Sequence, residues 1–182
     1  MEGNESVETG RVIVHTGLGK GKTTAALGLA YRALGHGGRV VIIFFTGPEH
    51  PQMGDIRAAA TLGEDLRTIG IKSQATDVTY LADFAESTDT VKEALALARE
   101  LLTQGNCDLL VLDDINPLLH DGTIDTAQVV ALIDEKPPNV DLVLTGRFAP
   151  QTIIDRADTV TDFVPIKHPV QTGLGPRKGF DF

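Results

Sequence analysis

Residues 16–24 read Thr-Gly-Leu-Gly-Lys-Gly-Lys-Thr-Thr and follow the apolar run of residues 11–16. Glycines at 17, 19 and 21 let a backbone turn tightly enough for its N–H groups to converge on anionic oxygens. Lys22 adds a point charge suited to phosphate, and Thr23 a hydroxyl suited to Mg2+. The helical pattern that starts at residue 22 aims the positive end of its dipole at the same spot. These residues are equipped for polyphosphate. The usual spacing of such loops is Gly, four residues, then Gly-Lys-Ser/Thr. Here the first position holds Thr16, and a second lysine, Lys20, stands inside the loop. The expected nucleotide contacts are Thr16, Gly17, Leu18, Gly19, Lys20, Gly21, Lys22, Thr23 and Thr24.

A phosphate loop needs an acid at the tip of a neighbouring strand to hold its metal. "LLVLDD" supplies Asp113 and Asp114. Two carboxylates ending an apolar strand are costly unless a cation or donors receive them. A helix cap, a solvated turn or, for Asp114, a ribose hydroxyl are the other uses for such a pair. "LVLTGR" ends a third strand with Thr145, Gly146 and Arg147. The guanidinium of Arg147 is suited to a fork onto phosphate oxygens, or to a surface ion pair. The candidate catalytic groups are Lys22, Thr23, Asp114 and Arg147, and the candidate metal ligands Thr23, Asp113 and Asp114. The histidines, at 15, 36, 50, 120 and 168, have no ligand spacing and form no Ser-His-Asp arrangement.

These groups need elements to hold them. Apolar runs alternate with helical patterns along the chain. Strands are predicted at 11–16, 39–46, near 71–75, and at 107–114, 140–146 and 159–166. Helices are predicted at 22–35, 53–69, 89–105, 126–135 and 150–157. Such alternation gives βαβ units, hence an α/β fold with a mostly parallel central sheet and helices on both faces. Ligands in such sheets bind at the C-terminal ends of the strands, where each motif above falls.

Bulk properties bound the function. The chain has 182 residues, 42% apolar and 23% charged, which suits one globular domain over 11–182 behind a disordered acidic tail at 1–10. A formal charge of −9 repels nucleic acid. The apolar run at 40–45 is far short of a membrane span, and the polar N-terminus is no signal peptide. The lone Cys107 cannot form an internal disulfide and reads as a small core residue of a reducing, cytoplasmic protein.

Taken in order, "TGLGKGKTTAALGLAYRALGHG", "LLVLDDIN", "LVLTGRFAP" and "KHPVQTGLGPRKGFDF" resemble the ATP:corrinoid adenosyltransferase family of the CobA/CobO/BtuR type over residues 11–182. The family's own loop resembles "TG-GKGKTT", which accounts for Thr16. The resemblance implies a RecA-like P-loop fold and, usually, a homodimer. It implies transfer of the 5′-deoxyadenosyl group of ATP to Co(I) of a reduced corrinoid, cob(I)alamin or cob(I)yrinic acid a,c-diamide, with release of triphosphate. It further implies Mg2+, with Mn2+ as a substitute, an ATP bound in the reverse of the ordinary sense, and a flavodoxin-type reductant. The chain departs from the family in four places. Its second strand ends "FFTG" rather than in a "QF-KG" pattern. "DVTYLADF" replaces a "GFTW"-like segment, putting Val78 and Tyr80 where Phe and Trp face the corrin; Tyr80 and Phe84 are the aromatics available there. Asp114 stands where Glu is common, and the N-terminal extension is nearly missing. An ordinary P-loop ATPase or kinase, or a non-catalytic ATP- or corrinoid-binding module, are the competing expectations.

Overall fold

The computed structural model describes residues 9–45, 54–59, 61–62, 65–70 and 88–181. Among them, six strands form one all-parallel sheet: β1 (Val12–Thr16), β2 (Val40–Phe44), β3 (Leu66–Gly70), β4 (Leu109–Asp113), β5 (Asp141–Thr145) and β6 (Thr159–Asp162). The order across the sheet is β3-β2-β4-β5-β1-β6, the RecA-like arrangement. The helices are α1 (Lys22–Gly35), α2 (Gly54–Ala59), α3 (Thr88–Thr103), α4 (Ile115–His120), α5 (Thr126–Glu135) and α6 (Gln151–Ile154), with a 3-10 turn at Pro169–Thr172.

Continuous Val/Ile/Leu runs make the central strands, because both sheet faces are covered. Every residue of β2 and of β4 is buried. On one face, α1 presents the small Ala26 and Ala30, which let it lie close against Val40, Ile42, Phe44, Val111 and Val143. On the other face, α3 offers Ala94, Leu95, Ala98, Leu101 and Leu102 at helical spacing to the larger core, which α4, α5 and α6 complete through Ile115, Leu132 and Ile153. Cys107 is buried in that core, as its apolar setting predicts. No helix among the described residues is long and apolar enough to cross a membrane.

The structure corrects the element reading in several places. The helix predicted over 53–69 is cut short. Residues 66–70 form β3 instead, paired in register from Val40↔Leu66 to Phe44↔Gly70, and α2 is only 6 residues long. Pairing along a buried edge of β2 outweighs the local helical pattern. The strand expected near 71–75 and residues 1–8 of the expected tail lie outside the described residues. Gly10 is held in place, donating to Pro138 O and accepting from Lys136 Nζ at 3.0 Å. Helix α4 is not among the helices the sequence pattern predicts; its Pro117 sits in the first turn, where no helical N–H is lost. Finally, β6 ends at Asp162 rather than running to 166; the chain there leaves the sheet edge to cover the phosphate loop.

Candidate active site: a polyphosphate cleft

Parallel pairing sets His15 level with Thr145, Thr16 level with Asp162, and Phe44 level with Asp113. The ends of β1, β4, β5 and β6 therefore meet at one edge, and the loop of residues 17–21 is built on it. Gly19 permits a close approach there. Its N–H donates to Phe163 O at 2.6 Å, and a Cβ at this position would stand 2.6 Å from that same oxygen. Lys22 is buried, and its Nζ donates to Gly17 O at 2.8 Å and Gly19 O at 2.7 Å. Burial, then the neighbouring Arg147 cation, lower its pKa, against the pull of Asp114, Asp113 and Asp162. Beneath the loop, His15 is buried with Nδ1 3.3 Å from Lys22 O and its ring edge-on to Phe163. Burial lowers its pKa, which keeps it an uncharged floor.

Asp113, the acid expected to serve a metal, is not on the strand next to β1. Strand β5 intervenes, and its last residue, Thr145, fills the gap. Thr145 Oγ1 donates to Asp113 Oδ1 at 2.7 Å and accepts from Asp114 N at 2.9 Å. Thr23 Oγ1 donates to Asp113 Oδ2 at 3.2 Å. Asp113 is only 4% exposed. Burial pushes its pKa up to about 7, although both hydroxyls pull it down. A buried carboxylate served only by neutral hydroxyls is suited to a hard divalent cation. Asp114 takes the left-handed conformation, φ 56°, which turns its side chain toward a different wall, that of the cleft.

Arg147 follows Gly146, whose φ of 123° and absent Cβ let the turn pass Pro117 Cδ; a Cβ would sit 2.4 Å from it. Asn116, fully buried, ties this turn to β1 by donating to Gly146 O at 3.1 Å and His15 O at 3.3 Å. Thr16 Oγ1 accepts from Ala149 N at 3.1 Å, a second tie. The C-terminal segment closes the other side. Lys20 pairs with Asp181, whose Oδ2 accepts from Arg177 N, and Arg177 lies 4.6 Å over the Phe180 ring.

The result is a cleft of about 220 Å3 lined by Leu18, Gly19, Lys20, Gly21, Lys22, Thr23, Thr24, Asp114, Arg147, His168, Phe180 and Asp181. The model of the family ATP:corrinoid adenosyltransferase BtuR/CobO/CobP matches residues 8–182. The chain belongs to this family. A corrinoid adenosyltransferase of a Sinorhizobium species is 35% identical to it, over 96% of this chain and 81% of the relative. That of Escherichia coli strain K12 is 32% identical, over 96% and 87%. Salmonella typhimurium LT2 has a corrinoid adenosyltransferase CobA that is 30% identical over the same shares. Among solved structures, the flagellar accessory protein FlaH of Methanocaldococcus jannaschii aligns with a TM-score of 0.56 at 13% identity, covering 87% of this chain and 73% of that one, a likeness of fold.

Against this family frame, the predicted residues divide. Leu18, Gly19, Lys20, Gly21, Lys22, Thr23, Thr24, Asp114 and Arg147 come together on the cleft. Thr16 and Gly17 are not on its lining; they anchor the loop through a hydroxyl and a carbonyl. Asp113 lies behind it, reached through Thr23. Tyr80, Val78 and Phe84 fall outside the described residues. Sequence reading gave no role to Thr145, Asn116, His168, Phe180 or Asp181. The last three lie in the "KHPVQTGLGPRKGFDF" ending that carries part of the family resemblance, but a resemblance of the segment assigns no task to its single residues.

Proposed function

We infer that the chain transfers the 5′-deoxyadenosyl group of ATP to the Co(I) centre of a reduced corrinoid substrate and releases inorganic triphosphate. The observation that carries this reading is the gathering of Lys20, Lys22 and Arg147 around one glycine-built cleft in a chain of this family. The electron pair of Co(I) forms the new bond to C5′. The C5′–O bond breaks, triphosphate leaves with that bonding pair, and cobalt is formally oxidised to Co(III). Such a nucleophile needs no base from the protein, so the protein's task is to bind, aim and neutralise. Lys22, Lys20 and Arg147 meet the charge that develops on the leaving oxygens.

Thr23, Asp113 and Asp114 would hold Mg2+, for which a hydroxyl and carboxylates are fitting donors. Bound there, the ion supplies charge neutralisation to the phosphates. The acceptor is cob(I)alamin or cob(I)yrinic acid a,c-diamide, and a flavodoxin-type protein supplies the electron that makes Co(I). The enzyme works in the cytoplasm as a homodimer. Anaerobic incubation with ATP, Mg2+ and chemically reduced corrinoid tests the reading. The expected result is adenosylated corrinoid and triphosphate in equal amounts. Steady release of inorganic phosphate with no adenosylated product would overturn it in favour of an ordinary P-loop ATPase.

A further inference from the structure

Most of the cleft wall is made by the phosphate loop and the ends of β4 and β5, but His168 comes from the segment beyond β6. Its surroundings fix the ring. His168 caps the 3-10 turn, Nδ1 accepting from Val170 N at 3.3 Å while its own N–H donates to Gln171 Oε1 at 3.2 Å. A ring whose Nδ1 accepts a backbone N–H is a neutral imidazole with its proton on Nε2. The cap thus leaves one donor, Nε2–H, for whatever occupies the cleft. The other groups on that wall that suit an anion are Lys20, Lys22, Thr23 and Arg147. The nearby Asp181 carboxylate is already engaged by Lys20 and Arg177 N.

We propose that His168 is a catalytic residue of the transfer: its Nε2–H donates to an oxygen of the triphosphate, in ATP and as triphosphate departs. The proposal rests on the adenosyltransferase reading for its reaction, but on the cleft alone for its ligand. It assigns the segment after β6 a chemical task beyond covering the loop. An uncharged donor complements the cations, because it binds the leaving group without adding to the repulsion among Lys20, Lys22 and Arg147.

The test separates the two ring nitrogens. In His168→Asn, the amide oxygen reproduces the Nδ1 acceptor of the cap and the Nε2 donor is lost. In His168→Gln, the amide nitrogen stands near the position of Nε2 and the cap is lost. Inorganic triphosphate is titrated into each full-length protein by calorimetry, with thermal unfolding measured alongside. His168→Asn should bind roughly tenfold more weakly at an unchanged unfolding midpoint, the loss expected for a hydrogen bond to a charged acceptor. His168→Gln should stay within about threefold of wild type. Wild-type affinity in His168→Asn overturns the proposal, as does a loss in His168→Gln equal to or larger than that in His168→Asn, which would make the ring a prop for the turn. The reaction is judged separately: if the wild type makes no adenosylated corrinoid while the triphosphate pattern holds, the activity reading falls and His168 remains a triphosphate donor.

Discussion

Where the strands begin, Asp108, Asp141 and Asp158 each accept a backbone N–H, from Arg39, Arg11 and Val12, at 2.8, 2.7 and 2.7 Å. Where the strands end, Asp113 accepts only from the hydroxyls of Thr145 and Thr23 among the described residues. The same side chain serves two purposes. At the first edge the chain supplies its own donors, and Arg39 holds the Asp108 carboxyl below its ordinary range. At the second, only two hydroxyls serve the carboxylate, away from water, and burial pushes Asp113 up to about 7. The first edge also carries the larger hollow, about 860 Å3, walled by Arg11, Arg32, Asp108, Asp141 and Asp158. Its carboxylates are already committed to the backbone. Volume and electrostatic demand therefore part company: the larger hollow is the one whose carboxylates are already served.

The largest effect that would break this comparison is at Lys22. Its ammonium is bonded to two loop carbonyls and must be available to phosphate oxygens when nucleotide enters. Lys22→Ala removes charge-assisted bonds worth about 1.5–3 kcal/mol each, so affinity for ATP should fall by about a thousandfold. Calorimetric titration measures it. A loss below about tenfold would mean that this end of the sheet is not the polyphosphate end.

The second effect is on pH dependence. The ordinary Asp value is 3.8, and that of folded Asp113 is about 7. Between those values the folded, metal-free protein holds a proton that the unfolded chain does not. Its stability from this group is therefore full below about pH 4, declines as pH rises, and is gone above about pH 7. The decline should be on the order of 4 kcal/mol, or roughly 10 °C in unfolding midpoint. Buried His15, with its lowered value, changes stability in the opposite direction near neutrality. The decisive quantity is therefore the difference between wild type and Asp113→Asn. The variant should lose the downward slope, and identical slopes would show Asp113 to be as well supplied with donors as Asp108.

Much of this contrast was legible in the sequence, and the limits have physical causes. Gly-Lys-Thr after an apolar strand specifies a loop, because each residue's role is local: a turn, a charge, a hydroxyl. The parallel sheet was legible because strands buried on both faces must be apolar throughout, as in β2 and β4. Which strand lies beside β1 was not legible. The acid was expected on the neighbouring strand, yet β5 intervenes, and only that insertion sets Thr145 against Asp113, on the carboxylate oxygen that Thr23 does not serve. The two aspartates look alike in "LDD", but the left-handed turn at Asp114 sends one inward and the other to the cleft. Residues 66–70 carry a helical pattern in isolation and become strand only through pairing with β2. His168 depends on where the chain goes after β6, and no periodicity encodes that path.

A third, smaller effect sharpens the role of the inserted strand. Thr145→Val keeps the shape of a fully buried residue but leaves Asp113 one donor short and Asp114 N–H without its acceptor. A buried donor left unmatched costs about 1–3 kcal/mol, so the unfolding midpoint should fall by several degrees. Affinity for Mg2+-ATP should drop by about tenfold, because Asp113 becomes harder to ionise. Loss of stability with unchanged Mg2+-ATP affinity would make Thr145 structural only.

The smallest effect belongs to the opposite edge and completes the comparison. Val12 N is the first donor of β1, on a residue only 4% exposed, and Asp158 Oδ2 receives it at 2.7 Å. Asp158→Ala strands that N–H at the start of the strand that carries the phosphate loop. The cost should be about 1 kcal/mol, because the group sits at the strand start, near enough to the surface for water to replace the carboxylate in part. Thermal unfolding should register it as a shift of about 2–4 °C. ATP affinity should not change, since the loop is anchored at the other end of β1 by Thr16 and Phe163 rather than by Asp158. A tenfold loss of ATP affinity in Asp158→Ala would mean that strain at one end of β1 reaches the other, and the two edges could no longer be treated as independent parts of the sheet.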